Sequence, residues 1–231
     1  MKNKDYEKMY FNSVKKNINS NIIQKWRTRQ NKVVEYLENL PKEPNRKILE
    51  LGSGRGFFVK ELKNKGFNVI GSDFNQMNLE LAKKINKISL KKIDAENINL
   101  NKTSFDIVIS VELIEHLLNL EKHLISVKKI LKPRGIYIIS TPNFFMERIF
   151  NFVMHKKPDK YHVSSQTHSS LKKLLERYGF SVKFLKINQL TDGQKDKLKI
   201  LSLFYPVQIL PKFLQPSIIC IASLGDLNEL A

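Results

Sequence analysis

From residue 46 onward, stretches with the composition of β-strands alternate with stretches that have the periodicity of α-helices. This order is typical of a parallel sheet covered by helices on both faces, because each helix carries the chain back to the starting end of the next strand. The predicted strands are residues 46–51, 67–72, 88–93, 105–111, 135–141, 180–187 and 217–223. The predicted helices are residues 56–65, 75–86, 119–132 and 169–178. We therefore expect an α/β fold with a seven-stranded, mostly parallel sheet.

Two segments fall outside this alternation. Residues 5–40 read as helical, and we expect their apolar side to pack against the sheet or to cover the site. Residues 144–166 follow the fifth predicted strand and are rich in aromatic residues and Met. We expect those aromatic residues to pack within the protein instead of serving as stacking platforms for a ligand. Ligands of open parallel sheets bind outside the carboxyl ends of the strands, so an insertion at this point lies over the site. The predicted organisation is an N-terminal helical extension (1–45) and one domain (46–231) with a lid at about 144–166.

The charge of the chain is strongly positive. Its 231 residues include 40 Lys and Arg against 22 Asp and Glu, a net charge of +18. A field of this size attracts nucleic acid, anionic membranes or acidic small molecules. Most of the charge is Lys, and Arg, which is better suited to bidentate contacts with phosphates and bases, is scarce. Two interpretations stay open: a solvated basic surface, or a site for an anionic partner.

The single cysteine and the apolar stretches bear on location. Cys220 has no second cysteine to pair with, which excludes an intrachain disulfide and favours a reducing cytoplasm. We expect no secretory signal, because the first residues lack an apolar core. Residues 198–224 are the most apolar stretch, but three prolines and Lys212 interrupt it, so we expect no transmembrane helix. A peripheral membrane contact is an alternative, through Leu201, Phe204, Tyr205, Phe213 and Leu214.

The first predicted strand runs directly into three glycines, in ILELGSGRGFFVKEL, residues 48–62. Glycines let backbone N–H groups and the positive end of the next helix approach a ligand closely. Asp73 ends the second strand, where a carboxylate can accept both hydroxyls of a ribose. These features predict a nucleoside-binding site. A dinucleotide turn reads GxGxxG and holds a pyrophosphate, which Glu50 would repel, so the GxGxG spacing and Glu50 favour S-adenosylmethionine, with its ammonium and sulfonium.

The order of five motifs over residues 46–223 resembles the class I S-adenosylmethionine-dependent methyltransferases. ELGSGRG is similar to the first motif of that family, SDF to the ribose-binding acid and IDAENI to the third motif. FDIVISVELIEHL is similar to the fourth strand with its following loop, and LKPRGIYIISTPN to the fifth. The resemblance implies a Rossmann-like sheet with an antiparallel final strand. The cofactor contacts that it implies are Glu50, Gly52, Gly54, Gly56, Asp73, Phe74, Asp94, Ala95 and Val111.

The segment VELIEHL, residues 111–117, carries the candidate chemistry. Methyl transfer needs an aligned acceptor and, for a hydroxyl acceptor, the removal of a proton. A similar ExxEH occurs in O-methyltransferases of the ubiquinone-biosynthesis type and in small-RNA 3′-terminal 2′-O-methyltransferases, for which the resemblance implies Mg²⁺ or Mn²⁺ held by two Glu and two His. The RNA enzymes favour a second His after this pair, where this chain has Leu117. The candidate metal ligands are Glu112, Glu115, His116 and His168, with His162 as an alternative source of the last ligand.

A simpler interpretation is that Glu115 and His116 cap and orient the loop without any metal. His168 would then be a residue at the start of a helix that Ser169 and Ser170 cap. The candidate catalytic residues are Glu115, His116, His162 and His168. The expected function is methylation of an oxygen on a small, lipid-linked or glycan-linked acceptor. The alternatives are metal-dependent 2′-O-methylation of RNA and a non-catalytic cofactor-binding scaffold.

Overall fold

A computed structural model describes residues 21–153, 155, 157–186 and 215–227, with side chains described from residue 29 onward. The strands are β1 (Lys47–Leu51), β2 (Asn68–Asp73), β3 (Lys91–Lys92), β4 (Phe105–Val111), β5 (Leu131–Pro142), β6 (Ser181–Leu185) and β7 (Ser217–Ser223). The helices are α1 (Asn21–Glu38), α2 (Phe57–Asn64), α3 (Gln76–Leu81), α4 (Leu120–Ile130), α5 (Phe144–Val153) and α6 (His168–Arg177). A π turn (Ala82–Asn86) continues α3, and a 3-10 turn (Ile114–His116) follows β4.

The seven strands form one sheet in the order β3-β2-β1-β4-β5-β7-β6. All neighbouring pairs are parallel except those of β7, which runs antiparallel to both β5 and β6. The predicted Rossmann-like sheet with an antiparallel final strand is confirmed. The strand order reverses between β1 and β4, and ligands of such sheets bind outside the carboxyl ends of the strands at that point.

Two hydrophobic clusters flank the sheet. One joins α4 and α6 to the sheet through buried residues such as Leu124 and Leu171. The other joins α1 and α2 to the opposite face and includes Val33, Leu37 and Phe58. The prediction that the N-terminal helix packs against the sheet is therefore confirmed for the part that the structure describes.

From residue 46 onward, the largest differences from the predicted boundaries are at β3 and at the junction of α4 and β5. β3 is only two exposed lysines long, against a predicted strand over 88–93. Helix α4 ends at Ile130, and β5 begins at Leu131 instead of 135, because the chain turns directly into the sheet, where Leu131 pairs with Phe105. The π turn extends the third helix without a break. These are errors of length, and the order of the predicted strands and helices is as observed, but helix α5 (Phe144–Val153) was not predicted.

The insertion after β5 begins with α5 and is described except for residues 154 and 156. The expectation that its aromatic residues pack is wrong for Phe144, Phe145 and Phe152 of the helix, which are exposed, Phe152 by 84%, whereas Phe150 is half-buried. Within the described ranges, no helix is both long and apolar enough to cross a bilayer. The residues predicted for a peripheral membrane contact, 201–214, lie outside the described residues.

Candidate functional site

The glycine turn after β1 needs its glycines. Gly52, Gly54 and Gly56 have φ angles of 72°, 53° and 73°, in the left-handed region that side chains disfavour. A Cβ on Gly52 would also lie 2.9 Å from Cδ1 of Leu113, in the turn after β4. Gly56 is the N-terminal cap of α2. The turn thus lies at the carboxyl end of β1 and packs directly against the turn after β4.

Glu50 is buried in β1 next to the glycine turn, with 3% of its surface exposed. Burial raises the pKa of its carboxyl to about 8. Among the described residues, Oε2 of Glu50 has no hydrogen-bond partner. A buried acceptor without a donor is costly unless a ligand supplies one, and the ammonium of S-adenosylmethionine is such a donor. The residues around this turn therefore fit the cofactor.

Asp73, at the end of β2, is held by three donors. Its Oδ2 accepts the N–H of Gly54 (2.8 Å), and its Oδ1 accepts the N–H of Asn75 (2.8 Å) and the amide of Asn78 (3.1 Å). Burial raises its pKa, and these hydrogen bonds oppose that rise. Asn78 is itself buried, in α3, and sequence analysis missed it. The signal was available, because Asn78 lies on the first turn of the helix that follows the predicted ribose acid.

The other predicted cofactor residues lie at the same edge or beneath it. Asp94 accepts the N–H of Glu96 (2.9 Å) in the loop after β3, and the adjoining Ala95 is buried. Phe74 is 38% exposed beside Asp73, while Val111 is buried in the core at the end of β4. Their contacts with a cofactor stay predictions.

The turn after β4 begins with a strained residue that is tied to distant parts of the chain. Glu112 has a φ of 54°, and its carboxylate accepts the hydroxyl of Ser140 (3.0 Å) and pairs with Arg29 of α1 (2.6 Å). Arg29 also donates from Nε to the hydroxyl of Ser217, the first residue of β7 (2.6 Å). Glu112 was a candidate metal ligand, and the structure gives its carboxylate an arginine partner instead.

Three other candidates come together beside it. Glu115, His116 and His162 each place one ligand atom so that all three atoms lie within 4.8 Å of one another. Burial and the nearby Glu112 raise the pKa of Glu115 to about 8, and Thr141 donates to its Oε2 (2.9 Å). The cluster combines a carboxylate and two imidazoles, groups that can hold a divalent cation or move a proton.

The two imidazoles differ in their surroundings. Nδ1 of His116 lies 3.1 Å from the carbonyl of Tyr161, which can only accept, so Nδ1 carries the proton and Nε2 the lone pair. Burial lowers the pKa of His116. Nδ1 of His162 lies 2.7 Å from the carboxylate of Glu147 in α5, and this hydrogen bond raises the pKa of His162.

The predicted lid (residues 144–166) contacts the turn after β4 through hydrogen bonds to the backbone carbonyls of that turn. The N–H of Ser164 donates to the carbonyl of Glu115 (3.0 Å), and the Ser164 hydroxyl donates to the carbonyl of Leu117 (2.6 Å). At its start, the N–H of Phe144 donates to the carbonyl of Gln166 (2.9 Å). These contacts bring His162 to the cluster.

His168 lies elsewhere. Its ring packs edge to face on Phe184 of β6, with centroids 4.9 Å apart, and it is not part of the three-residue cluster. It is the first residue of α6, which Thr167 and Ser170 cap reciprocally. The capping interpretation of this segment is therefore right in kind, with Thr167 in place of Ser169.

Comparison with known proteins agrees with this geometry. A family model described as a methyltransferase domain matches residues 25–183, more than half of the chain. The ubiquinone biosynthesis O-methyltransferase of Rickettsia bellii (strain OSU 85-389) is 36% identical over 101 residues, which are 42% of this chain and 42% of that protein. The chain thus spans less than half of the length of this curated relative.

Solved structures share the whole fold. A SAM dependent methyltransferase from Archaeoglobus fulgidus superposes with a TM-score of 0.60 at 24% identity, covering 93% of this chain and 99% of that one. The methyltransferase domain of bacterial-CtHen1-CN superposes with a TM-score of 0.59 at 25% identity, covering 85% and 98%. With the family match, the sheet order and the intact glycine turn, the chain belongs to the methyltransferase-domain family and is a class I S-adenosylmethionine-dependent methyltransferase by fold and sequence.

Proposed function

We propose that the protein transfers a methyl group from S-adenosylmethionine to an oxygen of a small, lipid-linked or glycan-linked acceptor. One observation carries the proposal: the Glu115, His116 and His162 cluster lies on and against the turn whose Leu113 packs on Gly52 of the glycine turn. Groups that can take a proton therefore stand next to the predicted cofactor site.

In this proposal, some residues bind the cofactor and others accept the proton of the acceptor. When bound, the cofactor supplies an electrophilic methyl carbon on its sulfonium. Glu50, the glycine turn and Asp73 would hold the amino acid and ribose ends of the cofactor. His116, kept neutral by burial, would accept the hydroxyl proton of the acceptor at Nε2. The Tyr161 carbonyl fixes the tautomer that this role needs.

The relatives support an oxygen acceptor without fixing it. The Rickettsia bellii relative is named a ubiquinone biosynthesis O-methyltransferase, but only 42% of its length matches this chain. The match therefore leaves the acceptor itself open. The predicted cytoplasmic location belongs to this proposal as well and rests on a lone, buried Cys220.

Metal-dependent 2′-O-methylation of RNA is the second candidate, and the spacing of the cluster favours it. Three ligand atoms within 4.8 Å suit Mg²⁺ or Mn²⁺, with Glu115, His116 and His162 as ligands and water in the other positions. The net charge of +18 suits a nucleic acid. The Arg29 partner of Glu112 weighs against a fourth protein ligand from that residue.

A labelled-methyl assay separates these functions. The acceptors would be a catechol, 3,4-dihydroxybenzoate, and a short single-stranded RNA with free 3′-terminal hydroxyls, each with Mn²⁺ and with EDTA. We expect methylation of the catechol in EDTA, lowered about 100-fold in His116→Ala and unchanged in the control His168→Ala. Methylation of RNA alone, and only with Mn²⁺, would move the assignment to the second candidate. Binding of S-adenosylhomocysteine without transfer to either acceptor would favour the scaffold alternative.

A further inference from the structure

The loop after β3 is held by hydrogen bonds to α4 and to the residues before it. β3 is two residues long, so the sheet gives this loop little support. The carbonyl of Ala95 instead lies 2.7 Å from Nδ1 of His123 in α4. The Glu96 carboxylate accepts the N–H of Leu118 (2.6 Å). α4 and the residues before it therefore set the position of this loop.

His123 stands in a buried chain of hydrogen bonds whose direction is determined. A carbonyl only accepts, so Nδ1 of His123 must carry the proton that goes to Ala95. Nε2 is then an acceptor, and the Tyr137 hydroxyl, 2.6 Å away, donates to it. The Ser110 hydroxyl, 2.6 Å from that of Tyr137, donates in turn. His123, Tyr137 and Ser110 are all fully buried.

The ring is neutral under ordinary conditions. Burial lowers the pKa of His123 to about 4, so it stays uncharged at neutral pH with one N–H and one acceptor. A buried polar side chain costs free energy that an apolar residue would not, unless each of its polar atoms is paired. The two polar ends of this ring are both paired, one of them to the loop.

We propose that His123 is a positioning residue for the cofactor: its Nδ1–H holds the carbonyl of Ala95 and so fixes the loop that carries Asp94 and Ala95. The inference rests on the proposed function and on the cofactor contacts that the family resemblance implies for Asp94 and Ala95. It concerns binding of the cofactor and does not depend on the identity of the acceptor.

Three variants separate the donor to Ala95 from the rest of the chain of hydrogen bonds. His123→Asn keeps an amide N–H near the position of Nδ1 but loses the ring and the acceptor for Tyr137. His123→Leu fills the space and has no donor. Tyr137→Phe is the matched control, because it removes the bond at the far side of the ring and leaves the bond to Ala95.

The readouts are the dissociation constant of S-adenosylhomocysteine, by calorimetry, and the urea midpoint. We expect His123→Leu to bind about tenfold more weakly, the loss of one hydrogen bond to a positioned group. His123→Asn and Tyr137→Phe should bind within about threefold of the wild type even where they are less stable. Affinity would then follow the donor and not the stability.

Two outcomes would overturn the inference. One is a His123→Leu variant that binds as tightly as the wild type. The other is an affinity for S-adenosylhomocysteine that falls in all three variants in proportion to their stability. If His123→Leu does not fold, a tenfold loss of affinity in His123→Asn, which keeps the donor, would also overturn the inference. The wild type and the variants could bind S-adenosylhomocysteine with the expected order of affinities although the wild type methylates no acceptor. That result would contradict the proposed function and support this inference.

Discussion

The cofactor side and the acceptor side of the site are built in opposite ways. The cofactor side comes from one continuous stretch: Glu50, the glycine turn and Asp73 lie within β1 to β2. The acceptor side joins parts of the chain that are far apart, such as Arg29 and Ser217, which are 188 residues apart, and His116 and Tyr161, which are 45 apart. Local backbone requirements fix most of the cofactor side, apart from the loop of Asp94 and Ala95 that His123 contacts, whereas tertiary contacts fix the acceptor side.

The largest effect should come from filling the cofactor side. A Cβ on Gly71 in β2 would lie 2.4 Å from Val59 and 2.5 Å from Leu90, so Gly71→Val must displace the core. We expect the free energy of unfolding to fall by about 3 kcal/mol or more, measured by urea denaturation. Gly66→Ala is the control, because nothing lies within 4 Å of its Cβ and it costs only the left-handed backbone, about 1 kcal/mol. Equal losses in the two variants would contradict the packing argument.

Asp73→Ala should weaken binding of S-adenosylhomocysteine about 100-fold, since a charged acceptor for two ribose hydroxyls contributes about 3 kcal/mol. Calorimetry measures the dissociation constant of S-adenosylhomocysteine for the wild type and the variant. Asp106→Ala removes an acid at the opposite end of β4, paired with Lys132, and should leave the affinity unchanged. An unaltered affinity in Asp73→Ala would remove the ribose assignment.

On the acceptor side, Arg29→Met leaves the Glu112 carboxylate partly buried and unpaired. We expect a loss of about 2 kcal/mol in the free energy of unfolding, with no change in the affinity for S-adenosylhomocysteine. The double variant Arg29→Met, Glu112→Gln should recover part of it. The control is Lys32→Ala, on the same helix, whose partner Glu35 is exposed and whose loss should cost less than about 0.5 kcal/mol. If cofactor affinity falls as well, the two sides are not independent.

The smallest expected effect is the release of a proton from Glu50 when the cofactor binds. With a pKa of about 8, Glu50 is mostly protonated at pH 7 in the free protein, and a bound ammonium would favour its ionised form. Binding should therefore release up to about one proton, and affinity should rise as the pH goes from about 6 to 8. Calorimetry in two buffers with different ionisation enthalpies measures the release, which Glu50→Gln should abolish. Heats that do not depend on the buffer would contradict this prediction, because they would show that Glu50 does not change its protonation state on binding.

The difference between the two sides also sets what the sequence could predict. Glycines in a turn and an acid at the end of a strand are visible as residue types at fixed spacing, so the sequence alone could propose Gly52, Gly56 and Asp73 for the cofactor site, and the glycines do have positive φ angles. The pairing of Arg29 with Glu112, and of Glu147 with His162, joins elements whose relative position no spacing encodes. His168 was a candidate ligand because of its residue type alone, and its place at the start of α6 directs it to Phe184.

The place of β7 has a consequence for how the chain is made. β7 lies between β5 and β6, and it is the strand that β6 pairs with. While the ribosome has not yet released residues 217–223, β6 has no neighbour in the sheet and Arg29 lacks its Ser217 partner. The first described helix and β7 are thus joined only after residues 217–223 have left the ribosome, and a chain that stops before residue 217 would leave β5 as an open edge.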